Sequence, residues 1–344
     1  MSAMAWFKSA DGSVEPPSAA GVLLVNLGTP ATPDYGAIRR FLGAFLSDRR
    51  VVEACPAYWY PLLYGPILTL RPLKTRTLYR SVWTESGSPL LVHSRALAKR
   101  LQNAVGPSAG VRVELAMTYG APSISAAIAR LQQARVRKLV VLPLYPQYSG
   151  TTTGPVFDRV TRELRRWRRV PAVSFVADYH AEPAYIAALA ASVRASWGTH
   201  GRSHLVLSNH GIPVKYVEAG DPYREQVAAT TRDLATALDL GPDEYSESFQ
   251  SRFGPTEWLG PSTDERLAEL AASGVSAITV LCPSFAVDCL ETLQEIGLES
   301  QARFRAAGGR DFRLVPALND SDAHVTALLA VLGRAGLGYR KSAT

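Results

Sequence analysis

Two side chains stand where an α/β protein keeps its chemistry: His210, in Ser208-Asn209-His210-Gly211-Ile212-Pro213, and Glu291, in the segment Cys282–Glu299. His210 follows the apolar run Leu205-Val206-Leu207 and precedes a flexible Gly and a rigid Pro, so it falls where a predicted strand ends. An imidazole there serves as base, acid or metal ligand near neutral pH. Glu291, Glu295 and Glu299 recur at every fourth residue. On a helix they share one face, with Leu293 and Ile296 turned the other way toward a core. Carboxylates on a solvated helix face are commonplace and the pattern by itself reads as structural, but three stacked like charges repel, and a cation or proton traffic along that face would explain them. Asp288 and Glu291 also have capping-box spacing, which would let Glu291 tie back to its own helix start. If the strands before His210 and Glu291 are neighbours, imidazole and carboxylate converge, a pair that suits Fe(II) among other metals and that also moves protons. His204 has the same strand parity, but six residues at about 3.3 Å each put it roughly 20 Å away, too far to share a metal.

Other strand ends carry weaker signals. Tyr145-Pro146-Gln147-Tyr148-Ser149-Gly150-Thr151-Thr152-Thr153-Gly154 is dense in hydroxyls and aromatics. It suits a phosphate cradle, a tyrosine platform for a flat ring, or simply a well-capped turn. Asn26-Leu27-Gly28-Thr29-Pro30 lacks the dinucleotide fingerprint. The longest uncharged run, Ala54–Leu70, just reaches the lower limit of a membrane span, but Pro56, Pro61 and Pro66 interrupt it. It reads as an apolar lip for lipid or a flat greasy ligand, or as a buried loop with short helices.

The elements that must position these residues alternate. Apolar or β-branched runs fall at Gly21–Leu27, Val111–Met117, Lys138–Leu144, Ala172–Ala177, His204–Ser208, Tyr245–Gln250, Ala277–Cys282 and Phe312–Pro316, with helix-length segments between most of them. That order predicts an α/β protein with parallel, doubly wound sheets. The runs form two sets of four. A mobile tail over residues 1–19 is expected, then halves over 20–180 and 181–344, the last helix packing back on the first half. In such sheets ligands bind outside the carboxyl ends of the strands.

Composition narrows the partners. The 344 residues are 47% hydrophobic and 19% charged, enough for a full core and in keeping with two domains. The net charge of +7 favours anionic partners such as lipid headgroups or a carboxylated small molecule. Basic residues are dispersed apart from Arg165-Arg166-Trp167-Arg168-Arg169, read as a solvated helix end, and no nucleic-acid signature is present. Cys55, Cys282 and Cys289 are too few for a disulfide framework or an iron–sulfur cluster, and point to a reducing compartment. The first residues lack an apolar signal core, so a cytoplasmic location is expected.

Several segments in order resemble the ferrochelatase family, from about Gly21 to about Leu332: VNLGTP, FLSDRRVVE, YPQYSGTTTG, LVLSNHGIPVKYVEAGDPY, FQSRFGPTEWLGPSTDE and CPSFAVDCLETLQEIGLE. The resemblance implies two Rossmann-like domains, each a four-stranded parallel sheet flanked by helices, with a porphyrin cleft between them. It implies insertion of Fe(II) into protoporphyrin IX, the last step of haem synthesis. The same motifs would serve another metal, coproporphyrin, or a non-catalytic haem carrier. His210 and Glu291 would handle the metal. Glu295, Glu299 and Asp288 would form a proton or metal path on a helix containing a π-bulge, with Asp288 and Phe285 flanking the ring. Arg71, Tyr79 and Ser88 would lie near the propionates or the lip, Tyr145, Tyr148, Ser149 and Trp258 would line the cleft, and Leu27 would touch the ring face. No cofactor beyond the iron substrate is implied; peripheral membrane contact and a monomer or dimer are. Asn209 departs from the family, where an aromatic residue is common, and raises the question of a hydrogen bond to His210. Ser284 replaces a frequent glycine, which would stiffen its loop.

Overall fold

The computed structural model describes Phe7, residues 18–106 and residues 110–337. Apart from Phe7, Ser18 and Ala19, the tail expected over residues 1–19 lies outside the described residues.

Eight strands form two sheets. The first contains β1 (Ala20–Asn26), β2 (Val111–Met117), β3 (Lys138–Pro143) and β4 (Ala172–Phe175) in the order β2-β1-β3-β4. The second contains β5 (His204–His210), β6 (Tyr245–Gln250), β7 (Ala277–Leu281) and β8 (Asp311–Leu314) in the equivalent order β6-β5-β7-β8. Every pairing is parallel. The uninterrupted apolarity of β1 follows from burial on both faces. Val22 and Leu24 enter one core, Leu23 and Val25 another. Strand β5 runs two residues beyond the expected Ser208, because Asn209 and His210 stay in register with Phe249 and Gln250. His210 is therefore held by the sheet rather than by the loop. In each sheet the winding reverses once, between β1 and β3 and between β5 and β7, and a crevice opens at the carboxyl ends there.

Helices α1 (Tyr35–Leu46), α2 (Pro56–Leu62), α3 (Leu68–Val82), α4 (Pro89–Val105), α5 (Ile124–Gln133), α6 (Thr153–Leu164), α7 (Pro183–Trp197), α8 (Val214–Glu218), α9 (Tyr223–Leu238), α10 (Thr263–Ala272), α11 (Gln301–Ala306) and α12 (Asp322–Arg334) cover the sheets. Several begin on side-chain caps, each worth about 1 kcal/mol. Asp34 accepts from the Ala37 amide, and Ser262 and Glu265 form a reciprocal capping box. The helix expected over Asp288–Ala306 is divided. Its hydrogen bonds are π-type (i→i+5) over Glu291–Ser300, and α11 follows.

The apolar run Ala54–Leu70 is not a buried loop. Pro56 opens α2 where no backbone donor is needed, and the chain bends at Gly65 (φ −80°, ψ −108°) before α3. Part of the run faces outward, with Tyr58 70% exposed, Tyr64 52% and Leu70 63%, while Leu63 and Leu68 are buried. No helix among the described residues is long and apolar enough to cross a membrane.

One aliphatic core runs through both halves. It joins Val22 and Val140 of the first sheet, Leu97 and Leu101 of α4, Leu189 and Val193 of α7, Leu205 and Leu207 of β5, and Leu328 and Val331 of α12. Helix α12 packs against both α7 and α4. The Arg100 guanidinium of α4 donates to the Asp320 carbonyl and pairs with Asp322.

Candidate functional site

The last residue of β5 places His210 at the reversal point of the second sheet. Its backbone is fixed at both ends: the His210 amide donates to Ser284 Oγ (3.2 Å), and its carbonyl accepts from the Tyr223 hydroxyl (2.8 Å). Ser284 thus stiffens its loop by anchoring the strand end. The ring Nδ1 lies 2.7 Å from the Gly211 carbonyl. A carbonyl can only accept, so Nδ1 carries the proton and Nε2 of the neutral ring keeps its lone pair. The Phe285 ring lies 6.2 Å from that of His210. Asn209 does not contact His210, because consecutive strand residues point to opposite faces. Its amide is fully buried, with no partner among the described residues.

Strand β7 brings the second half of the site. Glu291 opens the π-type helix, and the capping-box alternative fails there: the helix start has no side-chain cap. Asp288 is bonded instead to Thr292 Oγ1 (2.9 Å). The Glu291 backbone carbonyl accepts from Gln250 Nε2 (3.2 Å). Burial pushes the Cys289 thiol well up, and the neighbouring Glu291 carboxylate adds to the effect. Glu295 is gripped at both carboxylate oxygens by Ser251, through its amide (2.7 Å) and its hydroxyl (2.6 Å). Ser251 sits in the left-handed region (φ 66°) to do so. Burial raises the Glu295 carboxyl, the Ser251 hydroxyl and, when it is protonated, His210 pull it back, and Glu291 pushes it up again. His210, Glu291 and Glu295 therefore share one electrostatic field. Glu299, farther along, accepts from Gln294 (2.8 Å) and lies 4.0 Å from Arg303 at the outer end of the row.

The first half closes the site from α3. Arg71 lies 4.8 Å over the Phe253 ring. Burial lowers its guanidinium pKa and Glu291 raises it, yet the side chain remains accessible to solvent. Tyr79 is buried near Glu291 and Cys289, with its hydroxyl at Thr29, and Thr29 Oγ1 in turn donates to Ser88 Oγ (2.9 Å). Tyr79 and Ser88 thus belong to a buried hydroxyl chain beneath the cleft wall. Leu27 packs half-buried against the cluster that holds Tyr79 and Leu290.

The hydroxyl-rich loop after β3 is tied to protein partners. Ser149 Oγ (2.8 Å) and the Gly150 amide (2.7 Å) both donate to Asp221, and the Tyr148 amide donates to Gln226 (2.6 Å). Tyr145 packs half-buried on the core of the first half. Trp258 donates to the Phe253 carbonyl (2.9 Å), its ring 5.9 Å from that of Phe253, on the loop that carries Ser251. Asp288 is buried, with its oxygens taken up by Thr292, Ala317 and Asn319. Sequence reasoning missed Gln250, Ser251 and Asn319. The first two follow the strand-end rule at β6, but nothing local marks Asn319.

An imidazole and a row of carboxylates near a sheet reversal can take up protons, whereas no group of three or more His, Cys, Asp or Glu side chains among the described residues is arranged to hold a metal ion. Among solved structures, the chain resembles SirB from Bacillus subtilis, solved with Fe3+, at a TM-score of 0.57 with 12% identity, covering 92% of this chain and 95% of that one. It also resembles CbiX, described as the terminal enzyme of sirohaem biosynthesis in denitrifying bacteria, at 0.50 with 14% identity, covering 91% and 98%. At these identities the likeness is one of fold. The sequence relatives go further. The chain is 51% identical to the ferrochelatase of Sodalis glossinidius over 90% of this chain and 91% of that one. It is 50% identical to that of Thioalkalivibrio sulfidiphilus over 94% and 88%. The family model described as ferrochelatase matches residues 19–335, and the chain belongs to the ferrochelatase family.

Proposed function

We propose that this chain inserts Fe(II) into protoporphyrin IX, releasing two protons and yielding protohaem. The observation that carries the reading is that His210, at the end of β5, and Glu291, after the adjacent β7, both act on the Glu295 carboxyl, while Glu291 also acts on Arg71 of the other half. The reaction must strip two pyrrole N–H protons while a metal enters the ring. The lone pair of His210 Nε2 accepts one proton and the Glu291 carboxylate the other. Glu295 and Glu299 continue toward the surface as a row that passes ions or protons. Ser251 donates to both oxygens of Glu295 and so pulls its carboxyl back down against the burial and the Glu291 charge that raise it. Phe285, Trp258, Leu27 and the two loop tyrosines supply apolar and aromatic surface for a flat macrocycle, and Arg71 supplies a cation for a propionate.

The exposed apolar side chains of α2 and α3 form a lip that would rest on the membrane surface, with Lys74, Arg76 and Arg80 on the same helix for anionic headgroups. The protein would then work from the cytoplasm as a peripheral visitor to the bilayer. The test of the main reading is anaerobic: protoporphyrin and Fe(II) should give the metalloporphyrin absorbance only with the protein present. His210→Ala and Glu291→Gln, each folded, should each lose two orders of magnitude or more in kcat, on the order of a general base's contribution. Variants that kept activity within a few-fold of the parent would end the proposal.

A further inference from the structure

The segment that leads into Glu291 is held by an unusual knot of polar contacts. The Asp288 amide donates to Asn319 Oδ1 (2.8 Å), while Asn319 Nδ2 donates back to Asp288 Oδ2 (2.7 Å). This two-point exchange leaves Asp288 Oδ1, which accepts from Thr292 Oγ1 (2.9 Å) and the Ala317 amide (3.2 Å). Thr292 Oγ1 in turn accepts from the Cys289 amide (3.0 Å). Both oxygens of this buried carboxylate are thus bound by protein donors. A carboxylate so enclosed is poorly placed to pass a metal or a proton, because each passage would break charge-assisted bonds worth about 1.5–3 kcal/mol apiece.

Asn319 is itself held. Its φ is 49°, a left-handed conformation that asparagine tolerates, and its amide donates to the Ala286 carbonyl (3.1 Å). Its carbonyl is paired with the buried His324 at the start of α12. The next residue, Asp320, is reached from the first half by His93 Nδ1 (3.4 Å) and by Arg100, both on α4. An unbroken line of contacts therefore runs from α4 through the loop after β8 to the first turn of the helix that bears Glu291.

We propose that Asp288 and Asn319 form a clasp that positions Glu291, and that Asp288 acts on the reaction through this geometry rather than by conducting a metal or a proton. Asn319 is then a positioning residue of the metal-inserting site. The inference rests on the metal-insertion reading above.

A reciprocal exchange tests it. Asp288→Asn sets one amide NH2 against the other, and Asn319→Asp sets carboxylate against carboxylate. The double variant D288N/N319D restores one acid and one amide, and with them the two-point contact. The expected result is that each single variant loses about ten-fold or more in kcat, the loss of one hydrogen bond to a charged group. Porphyrin affinity, read by fluorescence, should be unchanged, and the double variant should recover most of kcat. A double variant as slow as Asp288→Asn would overturn the proposal, because the carboxylate at that position would then be needed for itself. Single variants that unfold at lower urea but keep the parental kcat would also overturn it, since the clasp would be merely structural. A parent protein that makes no metalloporphyrin would fail the functional reading instead. In that case urea denaturation of the same four proteins still reads the coupling between 288 and 319, and additive losses would remove the clasp itself.

Discussion

Replacing Ser251 by Ala should move the acid limb of the pH–rate profile to higher pH. Glu295 is pushed up by burial and by Glu291, and among the groups that pull it back the Ser251 hydroxyl comes first. That hydroxyl lies 2.6 Å from one carboxylate oxygen, while the Ser251 amide holds the other and survives the substitution. A hydrogen bond to an ionised group contributes about 1.5–3 kcal/mol. Water entering the half-buried site offsets part of that loss, and what remains raises the Glu295 carboxyl further. The sign follows from the role: an ionised carboxylate takes up ions and protons, so activity falls as pH drops through its pKa. A higher pKa brings that fall at a higher pH. The assay is kcat/KM against pH for anaerobic insertion of Fe(II), which reports the free enzyme's essential groups, with Glu291 and Glu295 read as one coupled system. Glu295→Gln serves as control and should remove this contribution to the limb. An acid limb in Ser251→Ala superimposable on that of the parent would refute the reasoning, since the hydroxyl would then not be setting the charge on Glu295.

Three further outcomes follow from other parts of the structure. Arg71→Ala removes the cation over Phe253, an interaction of about 0.5–2 kcal/mol, and should raise KM for porphyrin several-fold with a much smaller change in kcat, read by steady-state kinetics. The triple variant Tyr58→Ser, Tyr64→Ser and Leu70→Ser should lose at least about a hundred-fold in partitioning onto anionic vesicles by co-sedimentation, since burying each large apolar side chain is worth about 1.5–3 kcal/mol; undiminished binding would place the membrane contact elsewhere. Burial pushes the His324 imidazole down to about 4 from an ordinary value of 6.5. The unfolded chain therefore binds its proton first, and the stabilisation is complete above pH 6.5 and lost as pH falls toward 4. The loss should be roughly 3 kcal/mol by urea denaturation at a series of pH values, with a flatter profile in His324→Gln.

Much of the fold was legible because burial on both faces leaves a plain mark. The run Leu139–Leu142 carries no polar residue, and the structure sinks it between two cores. Boundaries failed where long-range pairing overrode local pattern. Asn209 and His210 look like the start of a loop, yet they pair with Phe249 and Gln250 and extend β5. The prolines of the Ala54–Leu70 run argued against a membrane span and left room for short helices: one opens α2, another is absorbed inside it, and the chain bends beside the third. Within the site, His210 and Glu291 were visible by residue type and by place at strand ends. The groups that set their chemistry were not. Nothing local in the sequence announces that Ser251 grips a glutamate 44 positions on, or that Asn319 meets Asp288. The position of Asn209 was an avoidable error of expectation, since strand alternation alone turns it away from His210.

The single aliphatic core that runs from the first sheet to the second has a mechanical consequence. Two lobes welded along such a seam cannot swing apart like the shells of a clam, because any hinge would tear Leu205, Leu328 and Leu101 from one another into water. A flat macrocycle must therefore be admitted and discharged by the rim alone. Leu63 and Leu68 anchor the bent helical pair around Gly65 in a buried cluster, whereas the exposed segment carrying Phe253 has little apolar weight behind it and is the part left free to yield.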